Sequence, residues 1–261
     1  MMIRMTDDYS GDVYVFDLDG TLVRNVAFRQ TIFELPRIVN LGVDPNIFYE
    51  EFLKTYYSTV ARGNLPKAFD WEYISEQTCR RFGSSYKYGI FTHCFLRNID
   101  DGYVQLIPGA SEVLKTLRGR GAKIVVLTNG RRVYQERVLR RTGLHSFIDL
   151  LITLDDVPKP KPYPEAFDTI YRTFRSATIH FVGDHPFYDV YAAANYCIPN
   201  IYWFTENIPA GEYSFSQILK YISDIARTKY GWELSPKERA FRKKIYVINS
   251  LAELIKYSLS L

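Results

Sequence analysis

The sequence predicts an α/β protein: a parallel β-sheet with helices on its faces, and an α-helical domain inserted after the first strand. Short apolar runs typical of buried strands alternate with helical segments from Ile107 onward. Between Arg24 and about Asp101, in contrast, apolar residues recur at helical spacing and strand-like runs are few. These observations predict a sheet core formed by residues 1–23 and 102–261 and a helical domain formed by residues 24–101.

The first predicted strand is the apolar run at residues 13–16, and it stops abruptly on Asp17, Leu18, Asp19 and Gly20. Residues two apart on an extended backbone point the same way, so the two carboxylates would be neighbours. Neighbouring carboxylates repel each other unless a cation or a shared proton lies between them. The same residues also suit an Asp-Gly turn with a solvated aspartate, and this stretch alone supports both interpretations equally.

The inserted segment is predicted to form a small helical bundle. Glycines at positions 42, 63 and 83 separate four predicted helices, over residues 28–39, 45–59, 66–82 and 84–97. Aromatic residues at helical spacing usually face a core, and packing is the expected role of Tyr49, Phe52, Tyr56, Tyr57, Phe69, Trp71, Phe91 and Phe95. Exposed members of this set, with Arg24, Arg62 or Lys67, would be candidates for a substrate pocket, although solvated basic side chains are commoner.

The next strand-like run, residues 123–127, ends in Thr128, Asn129 and Gly130. A hydroxyl followed by free backbone N–H groups at a helix start can hold an anion such as phosphate. A helix cap formed by Thr128 or Asn129 is an equally good explanation. Arg131 lies closest to this proposed cradle and is a candidate for contact with an anion.

Two further segments carry polar chemistry at strand ends. The loop at residues 157–164 holds Lys159 and Lys161 between prolines, and the strand at residues 178–182 is followed by Asp184 and Asp189. A lysine on a stiff loop could neutralise carboxylates and phosphate at a lower entropic cost than a mobile one. The carboxyl ends of parallel strands meet at one edge of a sheet, where open α/β folds bind ligands.

Composition narrows the function classes. The formal net charge is +4 and the isoelectric point is about 8.8, which suits a small anionic substrate and falls short of a nucleic-acid-binding footprint. The three cysteines are widely spaced, so neither a disulfide framework nor a zinc site is expected. Residues 1–11 do not resemble a signal peptide and no run is long enough to span a membrane. We therefore expect a cytoplasmic protein without a membrane or nucleic-acid partner.

Together these segments resemble the haloacid dehalogenase-like hydrolase superfamily. Its four motifs occur in order as Asp17-Leu18-Asp19-Gly20-Thr21, Thr128-Asn129-Gly130, Lys161-Pro162 and Gly183-Asp184 through Asp189. The helical insert directly after the first motif is similar to the subgroup with an α-helical cap. The resemblance implies a Rossmann-like three-layer core of parallel sheet and helices with an inserted cap domain.

The resemblance also implies site roles. Asp17 would be the nucleophile that forms an aspartyl-phosphate, and Asp19 the general acid–base, with its backbone carbonyl in the metal shell. Magnesium is the implied cofactor, with Asp17, Asp19, Asp184 and Asp189 as the metal-site residues. Thr128 and the backbone of Asn129 and Gly130 would hold phosphoryl oxygens. Lys161 would balance charge, with Lys159 as its competitor because the Lys-Pro repeat leaves the register open.

Two departures from the family pattern stand out. The family usually has glycine after the helix that follows the fourth motif, where this chain has Cys197, so a different local turn is expected there. Residues 206–244 replace a short connection and are predicted to be a helical insertion, with Tyr221, Tyr230 and Trp232 as packing. A strand and a helix over residues 245–259 would close the core.

The function expected from these features is magnesium-dependent hydrolysis of a small phosphorylated metabolite. A phosphomutase with the same motifs and a non-catalytic binding protein of the same fold are the alternatives. Asp19 argues against a haloacid dehalogenase. The resemblance implies that the dehalogenases of this superfamily have no acid at the corresponding position. A homodimer is left open as the oligomeric state.

Overall fold

The computed structural model describes residues 9–257, so most of the N-terminal segment 1–11 and the last residues of the predicted closing helix lie outside the described part. The strands are β1 Asp12–Phe16, β2 Val23–Asn25, β3 Val104–Leu106, β4 Lys123–Leu127, β5 Leu150–Ile152, β6 Thr178–Gly183, β7 Asn200–Phe204, β8 Gly211–Ser214 and β9 Lys244–Ile248. The helices are α1 Ala27–Ile38, α2 Pro45–Ala61, α3 Leu65–Ala68, α4 Trp71–Arg81, α5 Ile90–Asp100, α6 Ala110–Gly119, α7 Arg132–Arg141, α8 Asp168–Thr173, α9 Ala192–Tyr196, α10 Phe215–Tyr230 and α11 Leu251–Tyr257.

The main sheet has seven strands in the order β5-β4-β1-β6-β7-β9-β8. Every neighbouring pair is parallel except β8 and β9, which run antiparallel. Strand β1 lies between β4 and β6, with Phe16 aligned to Val126 on one side and to Val182 on the other. Because these partners are in register, the three strands end at the same level. The predicted α/β fold with a parallel sheet is confirmed.

Helices cover both faces of this sheet. Alternate residues of β1 point to opposite sides: Val13 and Val15 join one apolar cluster and Tyr14 and Phe16 join the other. Apolar residues of α8, α9 and α10 complete the first cluster, and those of α6, α7 and α11 complete the second. Burying both faces explains why the inner strands β1, β4 and β6 are mainly apolar, and it produces the predicted three-layer core.

Helices α1 to α5 form a bundle between the two strands of a small antiparallel sheet, β2 and β3. Local signals explain several boundaries: α2 begins after Asp44, whose carboxylate accepts from the Asn46 N–H, and α4 begins after Asp70, which accepts from Tyr73. The assignment of residues 24–101 to a separate domain stays a prediction. Within residues 9–257, no helix combines the length and apolar character needed to cross a bilayer.

Two predicted helices of the bundle have the wrong bounds. The helix expected over residues 66–82 is two helices, α3 and α4, because the Asp70 cap starts a new helix after Phe69. The helix expected over residues 84–97 begins only at Ile90, after Gly89 in the left-handed region at φ 100°. Apolar spacing alone does not reveal either interruption.

The segment at residues 206–244 differs from the purely helical insertion that the sequence predicts. It supplies strand β8 to the edge of the sheet before helix α10, which starts with a reciprocal capping box between Ser214 and Gln217. The prediction of a different turn at Cys197 is also wrong. Cys197 ends helix α9 at φ 70°, the left-handed conformation that glycine usually supplies, so the turn is kept without the glycine.

Candidate active site

Polar residues follow three neighbouring strands and lie at one edge of the sheet. Asp17 follows β1, Thr128 follows β4 and Asp184 follows β6. The Asp17 N–H donates to the Val182 carbonyl at 2.9 Å, so the sheet hydrogen bonding extends to the first of these residues. Hydrogen bonding at the centre of the sheet therefore fixes the position of the site.

Lys161 lies buried between two carboxylates. Its Nζ is 2.6 Å from Asp17 Oδ1 and 2.5 Å from Asp189 Oδ1, and its side chain is 2% exposed. Burial opposes the charged ammonium, but the two carboxylates outweigh it and raise the pKa of Lys161. Burial also raises the pKa of Asp17 well above its usual value, with Lys161 opposing this and the Asp189 and Asp184 carboxylates adding to it.

Asp184 completes an acidic cluster with Asp17 and Asp189, in which one ligand atom of each lies within 4.8 Å of the others. Thr21 Oγ1 donates to Asp184 Oδ1 at 3.0 Å. Burial, helped by Asp189, raises the pKa of Asp184 to about 7. Asp184 can lie this close to the backbone because residue 20 is a glycine: a Cβ there would lie 2.4 Å from Asp184 Oδ2. The φ of Gly20 is 96°, in the left-handed region that glycine adopts readily.

The cluster fits a hard divalent cation. The cluster has three carboxylates and one lysine, which pairs with two of them, so carboxylates outnumber cations in a buried place. Oxygen donors are those that magnesium prefers. Asp189 already uses both oxygens, one for Lys161 and the other for the His185 N–H at 2.9 Å. Asp17 and Asp184 are therefore the better placed carboxylates for direct ligation, with Asp189 supporting them.

Asp19 is held by two side-chain amides. Asn25 Nδ2 donates to one carboxylate oxygen at 2.8 Å and Gln135 Nε2 donates to the other at 2.7 Å. Burial raises the pKa of Asp19, while the two amides lower it. Gln135 also donates to Thr128 Oγ1 at 3.1 Å, and it occupies the space beside Gly130, where a Cβ would lie 1.9 Å from Nε2. Gly130 is thus needed to admit the Gln135 side chain.

Of the remaining predicted residues, some lie at the site and others do not. Asn129 forms reciprocal hydrogen bonds with the backbone of Lys161, at 2.8 and 2.9 Å, so its side chain fixes the lysine loop. The Gly130 N–H donates to Thr128 Oγ1 at 3.1 Å. Lys159 is exposed and paired with Glu165 at 2.9 Å, away from the carboxylates. Arg131 is paired with Asp155 at 3.1 Å and lines a different depression, so it is not brought to the site.

These residues form the floor of a cavity of about 300 Å³. The acid floor is defined as Asp17, Asp19, Lys161, Asp184 and Asp189. The aromatic roof is defined as the eight aromatic residues that line the rest of the cavity: Phe28, Tyr56, Phe69, Trp71, Phe95, Tyr134, Tyr188 and Tyr230. The inserted helices and the segments beside them supply five of the eight. The volume suits one small organic ligand.

A polar chain joins the floor to helix α10. His185 Nδ1 accepts from the backbone N–H groups of Phe187 and Tyr188, both at 3.1 Å, and Nε2 lies 2.8 Å from the Tyr230 hydroxyl. Because Nδ1 accepts, the proton of the neutral ring lies on Nε2 and is donated to Tyr230. Burial lowers the pKa of His185 to about 4, which agrees with a neutral ring.

The sequence does not indicate several of the lining residues. No motif points to Asn25, Gln135 or His185. Helical spacing predicts packing as the role of Tyr56, Phe69, Trp71 and Phe95, and packing is also the role expected of Tyr230. The only available signal for Gln135 was its spacing, because a residue seven positions after Thr128 and one turn into α7 can reach back to the strand end. For the aromatic residues the periodicity predicted burial and could not distinguish a core from a cavity wall.

Comparison with known proteins identifies relatives over most of the chain. Glyceraldehyde 3-phosphate phosphatase of Pyrococcus abyssi is 29% identical over 207 residues, which are 74% of this chain and 80% of that protein. Pyrophosphatase PpaX of Oceanobacillus iheyensis is 26% identical over 175 residues, covering 66% of this chain and 73% of the relative. The expected enzyme class agrees with these names, since both relatives are phosphate-releasing hydrolases by name.

Solved structures share the fold. A HAD phosphatase from Thermococcus onnurineus superposes with a TM-score of 0.60 at 24% identity, covering 95% of this chain and 97% of that one. The HAD-hydrolase YfnB from Bacillus subtilis, solved bound to magnesium, gives a TM-score of 0.63 at 19% identity, covering 96% and 99%. A model of the haloacid dehalogenase-like hydrolase family matches residues 12–196. The motifs, the sheet order and this match agree, and the chain belongs to the haloacid dehalogenase-like hydrolase family.

Proposed function

We propose that this protein is a magnesium-dependent phosphomonoester hydrolase that acts on a small phosphorylated metabolite through an aspartyl-phosphate. The observation that carries the proposal is the contact of Asp17 with Lys161 at the end of β1, beside two further carboxylates and on the floor of a cavity. A buried carboxylate that faces a fixed cation and open space is suited to attack an incoming phosphorus.

Asp17 would attack phosphorus, and Lys161 would oppose its protonation. The ammonium favours the carboxylate over its protonated form and would also offset charge on the phosphoryl oxygens during transfer. Asn129 holds the backbone of Lys161 from both sides, so little reorganisation is needed at the moment of reaction. The exposed position of Lys159 supports Lys161 as the lysine in this role.

Asp19 would act as the general acid and then as the base. Its raised pKa suits a carboxyl group that holds a proton for the leaving oxygen. Asn25 and Gln135 fix both of its oxygens and would hold it in position after that proton has left. The proton then returns from the water that releases phosphate from Asp17, so the cycle balances.

The strand end at Thr128 would receive the phosphoryl oxygens. The Thr128 hydroxyl and the Gly130 N–H are paired with each other in this structure, and both can turn to an anion that enters the cavity. Gln135 touches Thr128 and Asp19 together, which couples the phosphate-binding end of the site to the proton donor.

Magnesium would be held by the Asp17 and Asp184 carboxylates and the Asp19 carbonyl, with Asp189 in support. When bound, it supplies positive charge that screens the anionic nucleophile from the anionic phosphoryl group. Support comes from the excess of carboxylates over cations in the described cluster and from the magnesium in the YfnB structure.

The wider setting is proposed on the same basis. We assign residues 24–101 as the cap, because helices α1, α2, α4 and α5 or the segments beside them bring aromatic side chains over the floor.

The cytoplasm is the proposed location, in agreement with three free cysteines in the described chain. The names of the relatives include phosphatases of a triose phosphate and of pyrophosphate, which supports a small phosphorylated substrate.

The decisive experiment measures orthophosphate release from a panel of phosphomonoesters, with and without magnesium. Release should require magnesium and fall by roughly 10³-fold or more in Asp17→Asn, because the nucleophile is lost. Asp224→Asn, an exposed acid paired with Arg227 on α10, is the matched control and should be unchanged. Equal turnover by Asp17→Asn would overturn the mechanism. A rearranged ester without free phosphate would identify a mutase instead.

A further inference from the structure

The lining of the cavity contains many aromatic residues and few cationic ones. Eight of the nineteen residues that line the cavity are aromatic, and within the described chain Lys161 is the only lysine or arginine among them. Lys161 is already shared by Asp17 and Asp189 on the acid floor. No cationic side chain of the described lining is therefore left to bind a second anionic group on a substrate.

His185 does not fill that gap. Its Nδ1 already accepts two backbone hydrogen bonds, from Phe187 and Tyr188. Its Nε2 lies 2.8 Å from the Tyr230 hydroxyl. Both ring nitrogens are thus engaged within the wall of the cavity.

Two basic side chains near the bundle lie outside the cavity lining. Arg131 is held by Asp155 and lies 3.8 Å from Asp70, at a separate depression. The Lys67 ammonium lies over the Tyr73 ring, 5.1 Å from its centroid. Neither belongs to the lining of the main cavity.

The roof instead offers flat apolar surface. Trp71 packs 4.6 Å from Phe28 and 5.7 Å from Tyr56, measured between ring centroids, and all three rings line the cavity. Tyr188 meets Phe69 edge-to-face at 5.4 Å, and its hydroxyl is 3.0 Å from that of Tyr56. Such walls stabilise a flat ring by stacking and by edge contacts.

We propose that the cavity selects phosphomonoesters whose leaving group is uncharged and carries a flat ring, and that it discriminates against substrates with a second anionic group. The inference rests on the proposed hydrolase function and narrows its substrate class. A second carboxylate or phosphate would be desolvated against aromatic rings and close to three carboxylates, without a counterion. A neutral ring replaces water on the same surface at no such cost.

The test compares kcat/KM across phosphomonoesters and one phosphoanhydride. Uridine monophosphate and benzyl phosphate present ring-bearing neutral leaving groups and glycerol phosphate a small neutral one. Phosphoglycolate and the anhydride pyrophosphate present an anionic one. We expect the ring-bearing esters to exceed the anionic ones by at least about tenfold, with glycerol phosphate between them. Asp17→Asn, which should not turn substrates over, should show the same order in calorimetric binding with magnesium present.

A paired substitution locates the selectivity. Trp71→Leu should lower kcat/KM for the ring-bearing esters by roughly tenfold and change glycerol phosphate little. Tyr103→Leu removes an exposed ring that is outside the cavity lining and should leave the whole series unchanged. Turnover in which phosphoglycolate or pyrophosphate equals the ring-bearing esters would overturn the selectivity and leave the hydrolase function standing. Absence of release from every ester would instead remove the hydrolase function on which the inference rests.

Discussion

The acid floor and the aromatic roof enclose the same cavity but are built in different ways. Floor residues follow adjacent strands or sit on a loop tied to one of them, so their positions come from the register of the central sheet. Roof residues come from segments as far apart in sequence as Phe28 and Tyr230, and only helix packing brings them together.

The difference shows how chemistry and selectivity are divided in this protein. Transfer of a phosphoryl group needs charges held at fixed distances, and the centre of a sheet provides them. Recognition of a leaving group needs mainly complementary apolar surface, which many arrangements of aromatic residues can supply. Substitutions in the floor should therefore act on turnover, and those in the roof on substrate preference.

The largest effect is expected from removing the cation of the floor. Lys161→Met should reduce kcat by about 10³-fold, because it removes charge balance at the reacting oxygen. Without magnesium it should also destabilise the fold by about 3 kcal/mol, since Asp17 and Asp189 lose their shared partner. Phosphate release and urea unfolding measure the two effects.

Lys159→Met is the matched control for that substitution, being two residues away, exposed and paired with Glu165. It should change kcat and the free energy of unfolding by little, because exposed ion pairs contribute less than about 1 kcal/mol. If Lys159→Met were the damaging change, the assignment of the floor lysine would be reversed.

A second, smaller effect on kcat is expected from removing one of the two amides that hold Asp19. Gln135→Leu should lower kcat by about 10- to 100-fold with a smaller change in KM, because Asp19 and Thr128 both lose an amide donor. In an Asp19→Asn background the same substitution should cost little more, since Gln135 acts through Asp19.

Gln30→Leu controls for the loss of an amide elsewhere, because the Gln30 side chain donates to Glu34 on α1, outside the cavity lining. Steady-state kinetics of the unsubstituted protein, the two single variants and the double variant completes the cycle. Fully additive losses from Gln135→Leu and Asp19→Asn would show that Gln135 does not work through that carboxylate.

A third, smaller effect tests the roof. Glu72 is buried and accepts hydrogen bonds from Tyr86 Oη at 2.5 Å, from Gly89 N at 3.0 Å and from Thr92 N at 2.7 Å, so it caps the start of α5. Glu72→Gln should lower the free energy of unfolding by about 1–3 kcal/mol, because an amide cannot accept all three bonds equally well. Since α5 carries Phe95, KM for ring-bearing esters should rise more than kcat falls.

Glu76→Gln provides the comparison on the same helix, where the carboxylate is only paired with Arg80 at the surface. Its expected cost is below about 0.5 kcal/mol. Thermal unfolding and steady-state kinetics report both variants. A loss of kcat without any change in KM or stability would place Glu72 in the floor's chemistry and break the division between floor and roof.

The smallest effect concerns the sheet under the floor. His180 is buried against Tyr14 at 4.3 Å between ring centroids, and burial lowers its pKa despite the nearby Asp12. The unfolded chain therefore takes up the proton first, so this contribution to stability is present above about pH 6.5 and is lost as pH falls below it.

His180→Phe should reduce that acid-dependent loss by about 1 kcal/mol or less while leaving substrate preference unchanged. Urea unfolding at neutral pH and at about pH 5 measures the difference between the two proteins. An unchanged acid dependence would show that His180 does not contribute to it.

The sequence by itself determined the central strands β1, β4 and β6 and the polar residues directly after them. Strands such as β1 are recognisable as short apolar runs, and a parallel sheet must bring its carboxyl ends together, so Asp17, Thr128 and Asp184 could be expected to meet. The chemical identity of the floor is local in this sense: a few consecutive residues at each strand end specify it.

Tertiary structure alone decided the rest. Asn25 of β2 and Gln135 of α7 together hold Asp19. The roof joins five helices of the insert, or their flanking segments, to Tyr134, Tyr188 and Tyr230. Periodicity predicts that an aromatic side chain is buried, but burial against another side chain and burial around a cavity leave the same pattern. Only the packing of distant segments decides which of these a residue does, because apolar contacts are non-directional and their partners are not encoded nearby.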